Sequence, residues 1–133
     1  MTRRILIVDD DALIRQLLAL ILSSAGYSVT EATNGRDALD KLGERAVNLV
    51  ITDLRMPQMD GIELTRELRR NPSYESLPIV MLTSDFQDYK RREAEEAGVD
   101  RWITKPFIRN RLIRTVRTLE SDRRTATLAW SQA

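Results

Sequence analysis

Five short runs of branched apolar residues alternate along this sequence with five segments whose apolar side chains recur at helical spacing. That alternation leaves few folds open. A strand that is apolar at every position, such as Leu49-Val50-Ile51, must be covered on both faces, and the helices between the strands supply the cover. The result is a parallel sheet in the middle of an α/β sandwich.

The runs fall at 4–8, 27–32, 49–51, 78–82 and 99–104. The first run terminates in Asp9-Asp10-Asp11, and the helical segment that follows carries Leu13, Ile14, Leu17, Leu18, Ile21 and Leu22 and is closed by Gly26. Asn34-Gly35 turns the chain into a helix over 36–44, with Ala38, Leu39 and Leu42 inward. Asp60 and Glu63 have the spacing of a capping box, and Asn71-Pro72 ends the helix they start. Ser84 and Gln87 repeat that spacing before a helix closed by Gly98, and a last helix buries Ile108, Leu112, Ile113, Val116 and Leu119. Crossovers between parallel strands are right-handed. The common five-stranded, doubly wound solution is the flavodoxin-like order 2-1-3-4-5, with its switch point between strands one and three.

At 133 residues the chain is expected to form one domain over 1–120, with 121–133 as a polar, frayed tail. No apolar run reaches the length of a membrane span and Met-Thr-Arg-Arg is too short for a signal peptide, so a cytoplasmic protein is expected. The sequence has no Cys and no His, which closes thiolate and imidazole chemistry and the common zinc sites. Carboxylates, hydroxyls, Lys and hard cations remain. Residues 1–60 carry 7 basic and 9 acidic side chains, residues 61–100 carry 6 and 9, and residues 101–133 carry 8 and 2. The basic last third reads either as a solvated helix face or as a surface for an acidic partner. Without a recognition motif it does not make a nucleic-acid-binding module.

The predicted order brings Asp9 and Asp10 from strand one, Asp53 from strand three, Thr83 from strand four and Lys105 from strand five to one sheet edge. The carboxyl edge of an open α/β sheet is where ligands bind. Any one of these residues alone reads equally as a turn cap. Two unit charges about 4 Å apart repel by roughly 1 kcal/mol in water and roughly 4 kcal/mol at an effective dielectric near 20. Three clustered carboxylates therefore need compensating charge, and Lys105 supplies only one. A divalent cation completes the balance, and an all-oxygen donor set favours Mg²⁺. A carboxylate beside such an ion and an ammonium is suited to accept a phosphoryl group. On this reading Asp53 is the acceptor, Asp10 a direct metal ligand, Asp9 a ligand through water, and the main-chain carbonyl of Arg55 a further ligand. Thr83 donates its hydroxyl to a phosphoryl oxygen.

Val8-Asp9-Asp10, the run from Thr52-Asp53 to Asp60-Gly61, Met81-Leu82-Thr83-Ser84 and Thr104-Lys105-Pro106-Phe107 closely resemble the receiver domain of two-component response regulators. The resemblance covers about residues 3 to 120. It implies a histidine kinase or histidine phosphotransfer protein as donor to Asp53, with Mg²⁺, and a downstream protein target. It implies no turnover of a free substrate, only self-catalysed phosphorylation and dephosphorylation. Thr83 and an aromatic on strand five would form a switch that reshapes the face of helix 4, strand 5 and helix 5, a face on which a homodimer could also form. The aromatic is Trp102 here, where the family usually has Tyr or Phe, and a Trp that merely covers core is the alternative. Lys105-Pro106 would be cis, and Arg55 and Asp85 occupy positions that tune phosphoryl lifetime.

Other readings remain open at this level, among them a receiver used only as a docking scaffold. Asp9-x-Asp11 after a first strand loosely resembles haloacid-dehalogenase-type phosphatases, with Asp9 as nucleophile, although the chain is short and lacks the Gly after the acid pair. The chain also reads as the amino-terminal receiver part of a larger regulator, with Leu128 and Trp130 docking on a partner or starting a linker.

Overall fold

The computed structural model describes residues 3–85 and 87–132, with side chains described through residue 120. Its elements are β1 (Arg4–Val8), α1 (Ala12–Ser24), β2 (Ser28–Ala32), α2 (Gly35–Glu44), β3 (Leu49–Thr52), α3 (Gly61–Arg70), β4 (Ile79–Thr83), α4 (Asp88–Ala97), β5 (Arg101–Thr104) and α5 (Arg109–Gln132). All strand pairs are parallel and the sheet order is β2-β1-β3-β4-β5, the order the alternation calls for. The side chains of Leu128 and Trp130 lie outside the described residues, and with them the docking and linker readings placed on those two residues; the backbone of 121–132 continues α5. Among the described residues no helix is long and apolar enough to cross a membrane.

The apolar strands bury both their faces, and the core divides accordingly. On one side Ile5, Ile7, Leu49, Ile51, Val80 and Leu82 meet Leu18 and Leu22 of α1 and Leu112 and Val116 of α5. On the other, Leu6, Val8, Val50 and Ile79 meet Ala38 and Leu42 of α2 and Leu64 and Leu68 of α3. A smaller cluster of Leu54, Ile62, Met81 and Ala94 lies against the half-buried Trp102.

Several elements begin later than their apolar runs do, and hydrogen bonding explains the offset. Gly26 takes a φ of 100°, and the Tyr27 N–H still donates to Leu22 O of α1 at 3.0 Å, so β2 starts at Ser28. Gly98, with a φ of 112°, closes α4 in the same way, and the Val99 N–H donates to Ala94 O. β5 therefore starts at Arg101 rather than at Val99.

Three expectations need correction. Ile108 precedes the first turn of α5 and is 68% exposed, so it belongs to the loop after Lys105-Pro106-Phe107 and not to the buried stripe. Leu13 and Leu17 face solvent with Leu20, because α1 has more leucines than one contact face can bury; Leu18, Ile21 and Leu22 take that face. Ser84 does not cap α4. Gln87 is the cap residue and makes no side-chain capping bond, while its N–H donates to Asp85 Oδ1 at 3.0 Å. Asp60 does cap α3, accepting from the Glu63 N–H at 2.8 Å.

Candidate functional site

Strand register sets the level at which each candidate residue leaves the sheet. Val8 is paired with Thr52, Thr52 with Met81, and Thr83 with Thr104. The residues that follow these positions, Asp9, Asp53 and Lys105, therefore emerge together at the carboxyl edge. The backbone continues the ladder past the strand ends, with the Asp53 N–H donating to Val8 O at 2.9 Å and the Lys105 N–H to Thr83 O at 2.8 Å.

Side-chain oxygens of Asp9, Asp10 and Asp53 lie within 4.8 Å of one another. Asp9 is buried, Asp53 half-buried and Asp10 exposed, so the cluster is graded from the sheet outward. Lys105 Nζ stands between two of them, 2.9 Å from Asp9 Oδ2 and 3.5 Å from Asp53 Oδ2. One ammonium against three carboxylates leaves negative charge uncompensated. An all-oxygen set of this kind, open on its Asp10 side, suits a hard divalent cation that retains several waters.

Asp53 is held by its own turn. The Leu54 N–H donates to Asp53 Oδ1 at 2.8 Å, and the Thr52 hydroxyl donates to Asp53 O at 2.9 Å. Burial pushes the Asp53 carboxyl above its ordinary range; Lys105 opposes that, Asp9 adds to it, and the Leu54 N–H and Thr83 hydroxyl pull it back down. At Gly61 a Cβ would collide with the main-chain oxygen of Asp53 and come within 2.9 Å of Met81 Sδ. Only glycine lets the start of α3 lie this close to the site.

Thr83 is buried, and its hydroxyl oxygen accepts from the Asp85 N–H at 3.2 Å. Asp85 in turn accepts from Arg55 Nε at 3.0 Å and Arg55 Nη2 at 2.7 Å, a forked pair that spans the loops after β3 and β4. The Gln87 N–H holds the Asp85 carboxyl below its usual range, and the pair with Arg55 lowers it further. Beside it, Asp10, Arg55, Met56, Pro57, Gln58, Asp60 and Glu63 line an open cleft of about 380 Å³. Trp102 is half-buried and paired in register with Met81, in contact with the cluster that includes Leu54. The Lys105-Pro106 peptide is cis.

One participant was not singled out from the sequence. Arg15, on the first turns of α1, donates from Nη1 to the main-chain oxygen of Asp9 at 2.6 Å. An Arg amid the leucines of a helix that starts beside three acids was the available signal.

The family model of the response regulator receiver domain matches residues 5–117. The chain is 40% identical over 116 residues to the transcriptional regulatory protein ResD of Bacillus subtilis, covering 87% of this chain and 47% of that protein. It is 39% identical over 111 residues to the phosphate regulon transcriptional regulatory protein PhoB of Pseudomonas aeruginosa, covering 84% of this chain and 48% of that one. It thus spans about half the length of these relatives. Among solved structures, the Vibrio cholerae chemotaxis protein CheY4 superposes with a TM-score of 0.85 at 34% identity, covering 90% of this chain and 99% of that one. A shared five-stranded fold, a matched family model and the acid, hydroxyl and lysine positions at one sheet edge agree: the chain belongs to the receiver domains of two-component response regulators.

Proposed function

We propose that Asp53 is the phosphoacceptor of a two-component phosphorelay. The observation that carries this reading is the Lys105 ammonium held between Asp9 and Asp53 at the carboxyl edge. An Asp53 carboxylate oxygen attacks phosphorus, forming the O–P bond of an aspartyl phosphate as the bond from phosphorus to the donor breaks. The donor group leaves with that electron pair. These 133 residues hold no His, so a phosphohistidine donor lies outside them, on a histidine kinase or a histidine phosphotransfer protein. Lys105 neutralises charge on the transferred group, and the Thr83 hydroxyl, leaving the Asp85 N–H, turns to donate to a phosphoryl oxygen. Asp10, Asp53 and the Arg55 main-chain carbonyl would hold Mg²⁺, with Asp9 acting through water, and the ion supplies further charge neutralisation. The chain's own residues do the rest.

The role is signalling rather than turnover, in a cytoplasmic setting. Movement of Thr83 and Trp102 shifts the balance between two packings of the α4, β5 and α5 face, which meets a downstream protein or a second copy. Arg55 and Asp85 shield the site mouth and so set how long the phosphoryl group survives. The family assignment does not favour Asp9 as a phosphatase nucleophile, and Asp9 is a poor one here. It is 2% exposed, with Oδ1 accepting from the Asp11 N–H and Oδ2 from Lys105.

Labelled acetyl phosphate or a phosphorylated kinase, added with Mg²⁺, tests the proposal. Label should enter the wild type and be absent from Asp53→Asn. Equal labelling of the two proteins, or none of the wild type, defeats it.

A further inference from the structure

We propose that Arg15 is a positioning residue for the acidic cluster, fixing the peptide that leads into Asp10; the inference rests on the reading of that cluster as a Mg²⁺ site. Asp9 is held from four directions. Its N–H donates to Ala32 O at 3.2 Å, its Oδ1 accepts from the Asp11 N–H at 2.9 Å, its Oδ2 accepts from Lys105 at 2.9 Å, and its carbonyl oxygen accepts from Arg15 Nη1 at 2.6 Å. The last of these acts on the main chain itself. The carbonyl of Asp9 and the N–H of Asp10 share one rigid plane, so gripping the oxygen fixes the plane from which Asp10 departs.

On its other side Asp10 is followed by Asp11, whose carboxylate caps α1 by accepting from the Leu13 N–H at 2.9 Å. The exposed Asp10 is therefore aimed by main chain fastened before and after it. Arg15 is fastened in its turn. Its side chain is only 15% exposed, and Nε lies 3.4 Å from Glu31 Oε1 on β2. Arg15 thereby ties α1 and β2 to the turn that presents the acids, a geometry that a planar fork provides and an ammonium does not.

Charge and positioning make opposite predictions. Arg15 is a cation near three carboxylates, so on charge alone its removal should tighten binding of a divalent ion. If it positions Asp10, removal should weaken binding. Calorimetric titration of the full chain with MgCl₂ separates the two, with thermal melting in the absence of Mg²⁺ as the check on folding. Arg15→Met should bind Mg²⁺ on the order of tenfold more weakly, the loss expected when a group that orients metal ligands is removed. Arg15→Lys should recover only part of the affinity, and it replaces the Met variant if that one does not fold. Unchanged or tighter Mg²⁺ binding by Arg15→Met overturns the proposal, and so does a lowered melting temperature with affinity intact. A wild type that takes up no Mg²⁺, or an Asp10→Asn variant that binds as well, overturns the metal reading and this inference with it. Normal wild-type binding with an indifferent Arg15→Met overturns this inference alone.

Discussion

On the proposed reading Asp53 must be both reactive and partly buried, and the two demands conflict. Burial and Asp9 raise its carboxyl above the ordinary range more than Lys105, the Leu54 N–H and the Thr83 hydroxyl lower it. The folded chain therefore holds the Asp53 proton more tightly than the unfolded chain does. Stability contributed by the protonated form is complete below the ordinary carboxylate range and is lost as pH rises through the raised value. Asp53→Asn is therefore expected to melt a few degrees higher than wild type at pH 7, the size of shift about 1 kcal/mol gives in a small domain. The gap should close as the pH falls toward 4, which thermal scans by circular dichroism will read. Arg55 offers a second test at this scale. With its guanidinium forked onto Asp85 beside the site, Arg55→Ala should shorten the life of the phosphorylated protein severalfold, measured as loss of label with time.

At the scale of elements, α5 is tied to the far edge of the sheet by a hydrogen bond from the Tyr27 hydroxyl to Glu120 Oε2 at 2.6 Å, with Arg3 Nε 3.3 Å from Glu120 Oε1. Burial pushes the Tyr27 phenol up to about 12, Glu120 adding to this and Arg117 opposing it. The tie is intact below the ordinary tyrosine value of about 10 and is lost as pH rises through about 12. In an ultraviolet titration Tyr27 should therefore ionise in a step near 12, and Tyr27→Phe should remove that step. The same substitution leaves Glu120 without its phenol donor, and a loss of about 1 kcal/mol in urea denaturation is expected.

Across the whole molecule, the site and the α4–β5 region are connected by contact. Leu54 follows Asp53, Leu54 belongs to the cluster with Met81 and Ala94, and Trp102 of β5 lies against that cluster. α4 buries only Ala94 and has no side-chain cap at Gln87, so it is the helix least fastened to the sheet. A change at Asp53 thus reaches an element that can repack at low cost. Mg²⁺ with beryllofluoride, which stands in for the phosphoryl group, should alter Trp102 emission in a Trp130→Phe background. An unaltered spectrum removes Trp102 from the switch.

The alternation of apolar runs and helical segments was enough to give the sheet, its order and the edge at which Asp9, Asp10, Asp53, Thr83 and Lys105 meet. Those features follow from which faces must be buried, and burial is written locally in apolar periodicity. Tertiary structure alone decided matters that depend on competition for one surface. Leu13 and Leu17 have the same spacing as Leu18 and Leu22, yet only the second pair reaches the sheet. Ile108 looks like the first residue of a buried stripe until the chain's path after Pro106 turns it outward. The grip of Arg15 on the Asp9 carbonyl is also of this kind. A guanidinium bonded to main chain leaves no pattern in the sequence, because every residue offers the same carbonyl and only the fold selects which one comes within reach.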